Sequence, residues 1–417
     1  MKRTELHAVI ISAVDKIIQK EHFVKNILQD VVQAGGKMLL VGGSVRDIIV
    51  EREIKDLDFE IYALSAQVVQ SILQKYGRVD VVGKSFGVFK LQGIDADFAL
   101  PRIDGAGRKP LVHSDPFLEY SQAFIRRDLT MNAMGIDLQT YELIDPFGGL
   151  QDIEKKILRA PDIQFFVQDP LRLFRVMQFA GRFEMSVDGQ LSNACQTMSL
   201  QGVAQERIYQ EFHKLSAQSH KPSFGLQWLH QIHRWNEFLP ECTDVQNMMH
   251  GVDVVASEKN TEKKEIYFWF MIFLYTRFVE QKDFTTLKKI IFNFVLHQKI
   301  TDAVLLLIEQ YVRVDNVSSD FDIKVLAWDV RPYSLQDIVF LLQATGQTLR
   351  VEQIKKLATK HHVYDRYIDP LVQGADLVYV AQGKQIGDLL KKAYETQLRF
   401  GITDKQDLLQ RMQLFEK

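Results

Sequence analysis

The chain has 417 residues, enough for two to four domains at roughly 100 to 200 residues each. Hydrophobic residues make up 46% and charged residues 25%, near the globular average, which excludes a disordered, collagenous or low-complexity chain. Lys and Arg total 51 against 53 Asp and Glu, so the formal charge of −2 supplies no overall pull toward nucleic acid or membrane, and any polyanion must be held by local patches. Cys195 and Cys242 lie far apart without metal-ligand spacing, which removes a disulfide framework and a cysteine zinc site and fits a reducing, cytoplasmic setting.

Residues 1–21 read as an amphipathic helix, because Glu5, Asp15 and a helical apolar spacing spoil a signal peptide. From 37 to 144 the pattern changes to short β-type runs at 38–41, 57–61, 79–82, 88–91, 97–100, 134–137 and 142–144, interrupted by a helical stretch at 66–75. Gly93, Ile94 and Asp95 between two of these runs predict a hairpin, so the sheet is mixed rather than wholly parallel. After Pro161 the β-type alternation disappears, and helical periodicity marks 170–183, 206–215, 263–279, 300–312, 335–342, 351–358 and 386–398. The longest apolar run, 266–275, has ten residues where a membrane helix needs about 20, so it reads as a core helix and no membrane partner is expected. The expected fold class is α+β. Its divisions are an N-terminal helical extension (1–36), a head with a mixed sheet (37–160), a helical neck (161–222), a helical body (223–345) and a helical tail (346–417).

Two patterns in the head carry chemistry. The run Gly42-Gly43-Ser44-Val45-Arg46 follows a strand and opens a helix near Ser44; such a turn either merely reverses the chain or lets backbone N–H groups cradle phosphate. Ten residues on, Asp56 and Asp58 alternate with apolar residues on a strand, and side chains at i and i+2 share a face. Two such carboxylates are either a solvated strand end or, since they repel one another, the seat of a cation with hard oxygen ligands such as Mg²⁺. After the glycine turn, the cation is the reading we favour.

This pairing resembles the nucleotidyltransferase superfamily that includes DNA polymerase β. The successive runs Gly83-Lys84-Ser85-Phe86-Gly87-Val88, Asp97-Phe98-Ala99-Leu100-Pro101-Arg102, Arg126-Arg127-Asp128-Leu129-Thr130-Met131-Asn132-Ala133, Asp145-Pro146-Phe147-Gly148-Gly149-Leu150-Gln151-Asp152 and Asp169-Pro170-Leu171-Arg172-Leu173-Phe174-Arg175 look like class II tRNA nucleotidyltransferase motifs in their order. Glu206-Arg207-Ile208 extends the resemblance, which is strong over about 38–215. Beyond it only the run from Gly383 to Leu390 is similar to the family.

The resemblance implies a polymerase-β-like head that adds CCA to tRNA 3′ ends from CTP and ATP with Mg²⁺, releasing pyrophosphate. Asp56 and Asp58 would hold metal, with Asp97 as third carboxylate. Arg127 and its neighbour Arg126 suit a triphosphate, Asp128 a ribose hydroxyl, and Asn132 would assist. Asp169 before Pro170 reads as a helix N-cap, with Arg172 and Arg175 following on one helix face. Asp only accepts and Arg only donates, so the pair Asp169 and Arg172 also matches the pairing edges of cytosine and adenine and opposes uracil and guanine. Gln168 stands where the family usually has Glu, and Gln122-Ala123-Phe124-Ile125 lacks the usual acidic residues. A Gly-rich loop from Asp104 to Lys109 is retained, which favours full CCA addition. The alternatives are a CC-adding or A-adding specialist, a bacterial poly(A) polymerase, and a non-catalytic RNA-binding protein.

In the helical half no adjacent His-Asp pair exists. The run from His250 to Asp253 looks like a remnant of a metal phosphohydrolase segment. His230, His233, His361 and His362 lack carboxylates at ligand spacing and read as ordinary surface or core histidines, and Trp228, Trp235 and Trp269 as core. Lys355, Lys356, Lys360, Lys384, Lys391 and Lys392 form basic clusters that are either solvated faces or a stripe for tRNA phosphates.

Overall fold

The computed structural model describes residues 3–54, 56–82, 87–104 and 112–412. The chain forms two compact units, 1–235 and 236–417. Helices α1 (Arg3–Lys20) and α2 (His22–Gln33) precede strand β1 (Lys37–Val41), helix α3 (Gly43–Ile49), β2 (Leu57–Tyr62), α4 (Ala66–Gln74), β3 (Val79–Val82), β4 (Val88–Leu91) and β5 (Ala96–Ala99). A small antiparallel pair follows, β6 (Arg102–Asp104) and β7 (Val112–Ser114), then α5 (Tyr120–Phe124), a 3₁₀ turn at Thr130–Asn132, β8 (Gly135–Asp137) and β9 (Leu143–Ile144). The main sheet has seven strands in the order β3-β4-β5-β2-β1-β8-β9. Only β2 and β5 run parallel in it; the expected hairpin joins β4 to β5, and the sheet is mixed as its sequence implied.

Alternation along β2 decides the two faces. Residues paired across a ladder project to the same side. Phe59 lies opposite both Leu40 and Phe98, and the rings of Phe59 and Phe98 stack at 5.3 Å in the core. On the other face Leu39, Val41 and Tyr62 are covered by Ala123 and Phe124, while Asp58 and Asp97 pair on the uncovered stretch. One face is therefore apolar throughout, and the other changes from apolar to acidic along the strand.

The first unit continues with α6 (Gly149–Glu154), β10 (Ile157–Leu158), α7 (Ile163–Phe166), α8 (Arg172–Phe183), β11 (Ser186–Val187), α9 (Gly189–Thr197), α10 (Gln205–Gln218) and α11 (Ser223–Gln231). Strands do not cease at Pro161: Ser186 and Val187 pair in parallel with Ile157 and Leu158. Two residues are too few for alternation to register in the sequence. Helices α10 and α11 both pack on α8, and the approach is close because two positions lack a side chain. A Cβ on Gly181 would stand 2.4 Å from Leu215 Cδ1, and one on Gly225 2.1 Å from the Met177 carbonyl oxygen.

The second unit is helical. In Thr261–Leu274 every residue from Glu265 to Leu274 is buried, as a core helix requires, and no described helix is long and apolar enough to cross a membrane. The helix expected to continue to 279 breaks instead at Thr276, whose extended backbone bridges to Cys242 and whose hydroxyl donates to the Phe273 carbonyl at 2.9 Å. Lys263 and the Tyr267 hydroxyl both donate to Asp337 at 2.5 Å, tying this helix to Leu335–Ala344. His250 is exposed, and His361 sits 3.0 Å from Asp320. Lys360 pairs with the other oxygen of Asp320 at 2.6 Å, and these two partners pull its carboxyl down to about 2.

Gly225→Ala is expected to destabilise the first unit by about 1 to 3 kcal/mol, the usual scale of overpacking against unyielding backbone. A urea titration should show a lower midpoint with an unchanged slope. An unchanged midpoint would mean that α8 and α11 are not held this close.

Candidate active site

The glycine turn is built by geometry as much as by composition. Gly42 adopts φ 73°, a left-handed conformation natural to glycine. A Cβ there would meet Arg127 Nη1 at 2.5 Å, so the guanidinium occupies the space that a side chain would need. The Gly42 N–H donates to the Met134 carbonyl at 3.0 Å. Ser44, in the first turn of α3, donates its hydroxyl to the Asp56 carbonyl at 2.6 Å. That bond fastens the turn to the start of β2 and to the first acidic residue.

On β2, Asp58 and Glu60 share one face, and Asp58 lies across from Asp97 on β5. Asp56 and Asp58 are solvent-accessible. Enough protein surrounds the Asp58 carboxyl that burial pushes its pKa up; Arg127 opposes the rise, while Asp97, Asp56 and Glu60 add to it. The Asp97 carboxylate is drawn to Lys90, 2.9 Å away across the hairpin, and this partner raises the Lys90 pKa. Among the described residues no three His, Cys, Asp or Glu side chains converge as a ready cation cage. The donor set nevertheless fits a hard divalent cation: accessible carboxylates near one another, with burial first and their mutual repulsion second keeping a proton on Asp58 longer than usual.

Glu60 went unassigned in the sequence. It is 2% exposed and receives Arg127 Nη2 at 2.9 Å, Arg126 Nη2 at 3.2 Å and the Tyr62 hydroxyl at 3.1 Å. Burial, and then Glu60, push the Tyr62 phenol upward. Arg127 thus leans on Glu60 and over Gly42, and its buried Nε has no hydrogen-bond partner. A guanidinium held beside a glycine turn and a carboxylate pair is where a phosphate oxygen would fit. The period-two step from Asp58 could have flagged Glu60, and the hairpin centred between Gly93 and Ile94 could have paired Lys90 with Asp97.

The remaining named residues lie one layer deeper. Arg46 is 5% exposed, forks onto Asp47 at 2.9 Å through Nε and Nη2, and donates Nη1 to Asn132 Oδ1 at 2.7 Å. Burial lowers its pKa against the pull of Asp47. Asn132 Nδ2 donates to Asp128 at 2.9 Å, and Arg175 Nε donates to the other Asp128 oxygen at 2.7 Å. Burial alone would raise the Asp128 carboxyl, but Arg175, Asn132 and the Leu129 N–H outweigh it and hold it below the usual range. The Asp145 motif buttresses this layer. Its carboxylate accepts the N–H groups of Gly149 and Leu150 at 2.7 and 3.0 Å, a Cβ on Gly149 would come within 2.3 Å of the Thr130 carbonyl oxygen, and Thr130 donates to Asp152 at 2.7 Å.

Helix α8 begins at Arg172, two residues later than a cap at Asp169 implies. Asp169 instead organises the turn before it: its Oδ1 accepts the Leu171 N–H at 3.1 Å and its carbonyl the Arg172 N–H at 3.0 Å. Arg172 donates to the carbonyls of Phe165 and Arg126 at 2.8 and 2.6 Å, which fixes the guanidinium plane and links it to the Arg126-Arg127 run. The expected loop at 105–109 and the run at 83–86 lie outside the described residues.

The head is thus a mixed sheet with a glycine turn, an Asp-x-Asp strand and a third aspartate on its parallel neighbour. Residues 38–159 match the model of the poly A polymerase head domain. The Multifunctional CCA protein of Stenotrophomonas maltophilia (strain R551-3) is 34% identical over 216 residues, 49% of this chain and 52% of that one. That of Herminiimonas arsenicoxydans is 34% identical over 236 residues, 54% and 53% of the two chains. The chain spans about half the length of the curated relatives it matches. Among solved structures, the Thermotoga maritima CCA-adding enzyme complexed with tRNA superposes with a TM-score of 0.68 at 18% identity, covering 97% of each chain. A CCA-adding enzyme complexed with ATP gives 0.69 at 17% identity, covering 98% and 97%; at such identity these likenesses establish the fold. The head is thus similar to the poly A polymerase head domain, and the whole chain shares the fold of the CCA-adding enzymes.

The raised Asp58 pKa has a testable sign. The folded protein keeps this proton at a pH where the unfolded chain has lost it, so the ionised group opposes folding at neutral pH, and the opposition fades as pH falls toward about 4. Asp58→Asn should raise the melting temperature of the metal-free protein at neutral pH and lose that advantage in acid. Added divalent cation should raise the wild-type value more than the variant's. The opposite order at neutral pH would show that Asp58 is not under like-charge strain.

Proposed function

We propose that this protein adds CMP, CMP and AMP in turn to the 3′ end of tRNA, taking CTP and ATP and releasing pyrophosphate. The observation that carries the reading is the accessible Asp58 and Asp97 pair standing beside Arg127, whose Nη1 fills the space that a side chain at Gly42 would need. Arg127 and the turn Gly42-Gly43-Ser44 would take the triphosphate. Asp56 and Asp58, with Asp97 beside them, would hold Mg²⁺. The bound ion would neutralise charge on the leaving pyrophosphate and make the attacking 3′-hydroxyl more acidic. Glu60 keeps Arg127 extended, and Lys90 balances Asp97 while the site is empty of cation. Base choice falls to Asp169 and Arg172. Cytosine and adenine both offer an amino donor beside a ring-nitrogen acceptor, which an acceptor-only and a donor-only side chain answer together. In the second unit, the lysines at 355, 356, 384, 391 and 392 would meet tRNA phosphates.

The test is to incubate tRNAs ending before, within and after CCA with each nucleotide and Mg²⁺, and to size the products. CTP alone should add two residues, ATP one residue after CC, and complete CCA none. Asp56→Ala and Asp58→Ala should each cut addition by more than about a hundredfold, the scale of losing a group that stabilises transition-state charge, with folding and tRNA affinity retained. Long A tracts would make the protein a poly(A) polymerase, a stop at CC a specialist, and an inactive folded wild type an RNA-binding protein.

A further inference from the structure

Four residues that the sequence offered as nucleotide ligands, Arg46, Asp128, Asn132 and Arg175, are joined in one chain of hydrogen bonds. The Asp128 carboxylate receives the Leu129 N–H at 2.8 Å and Asn132 Nδ2 at 2.9 Å on one oxygen, and Arg175 Nε at 2.7 Å and Nη2 at 2.6 Å on the other. A carboxylate offers about four acceptor sites, and all four are filled. A ribose hydroxyl would have to displace one of these donors.

The chain of bonds has direction. At one end Arg46 belongs to α3, the helix that follows the glycine turn; at the other Arg175 belongs to α8, one turn beyond Arg172. Between them Asn132 presents its carbonyl oxygen to a guanidinium at 2.7 Å and its amino group to a carboxylate at 2.9 Å. Turning the amide over would set donor against donor and acceptor against acceptor, so its polarity is fixed by its partners. The ring of Phe179 on α8 adds a second link, with the guanidinium carbons of Arg46 and Arg175 at 5.3 and 5.4 Å from its centre. Asn132 and Asp128 are 5% and 7% exposed, so water cannot substitute for a missing partner.

We propose that Asn132 is a positioning residue that sets the base-reading start of α8 at a fixed distance from the triphosphate turn, acting through Arg46 on one side and Asp128 and Arg175 on the other. The proposal rests on the nucleotidyl-transfer reading above and deepens it. Nucleotide selection needs base and phosphate held together; Asn132 joins the elements that hold each.

The experiment is single-turnover incorporation of CTP and UTP onto a tRNA lacking CCA, with melting temperatures measured in parallel. Asn132→Asp keeps the shape but faces a carboxylate with another, and it should lower the CTP-over-UTP preference tenfold or more. Combining it with Asp128→Asn moves the charge along the chain and restores a donor toward position 132 while Arg175 keeps an acceptor, at the cost of the Leu129 N–H bond, so the double variant should recover part of the preference. Ile72→Ala, in the helix α4 core, controls for lost stability and should leave the preference alone. Asn132→Ser, which replaces the amide by a shorter hydroxyl and adds no charge, gives the same reading where Asn132→Asp does not fold. An active wild type with unmoved preference in the Asn132 variants, or a double variant no better than the single, overturns the positioning role alone. A folded wild type that adds nothing to tRNA overturns the transferase reading and the proposal with it.

Discussion

The parallel register between β2 and β5 is the constraint from which the rest of the head follows. It sets Asp58 against Asp97 and, one residue on, Phe59 against Phe98. The pleat sends the aromatic pair into the core and the acidic pair to the open face. A slip of one residue would turn one strand over, burying its aspartate and exposing its phenyl ring, so the hydrophobic core and the acidic site enforce the same alignment. The site is thus held by the core beneath it rather than by its own charges, which repel.

Those charges are answered from outside the strand pair. Arg126 and Arg127 reach Glu60, Lys90 reaches Asp97, and Arg175 reaches Asp128. Removing one partner from a buried ion pair typically costs about 3 to 5 kcal/mol, because the survivor is left uncompensated. Glu60 and Asp128 are both buried acids with arginine partners, whereas Lys90 and Asp97 face solvent and gain little stability from each other. Stability and poise are therefore divided: deep pairs hold the architecture, and exposed groups remain available to exchange partners with a ligand.

How far the sequence revealed this depends on distance along the chain. The strands at 57–61 and 88–91 were legible because alternation and flanking Gly or Asp are local signals, and the hairpin at Gly93 followed from spacing. Asp56, Asp58 and the glycine turn were legible as motifs. The partners of Arg127 and Arg175 were not, since Glu60 lies 67 residues before the first and Asp128 47 before the second. Arg46 illustrates the limit. A basic residue just after a glycine turn reads as a phosphate ligand, but Phe179 and Phe183 on α8 stack on its guanidinium and Asp47 neutralises it. The strands at 157–158 and 186–187 escaped because two residues are too few to show a period.

The account's central claim is that protein side chains, with no nucleic-acid template, choose the nucleotide at the start of α8. Asp169 tests it most directly, because Asn can still accept the Leu171 N–H through its Oδ1 but offers an amide where the base would meet a carboxylate. Single-turnover incorporation of all four nucleotides by Asp169→Asn, beside its melting temperature, separates the two roles. A normally folded variant whose preference for CTP and ATP over UTP and GTP falls roughly tenfold or more agrees with base reading, on the scale of about 1 to 3 kcal/mol per bidentate contact. Unchanged selectivity with normal folding would reduce Asp169 to a residue that shapes a turn and contradict the claim.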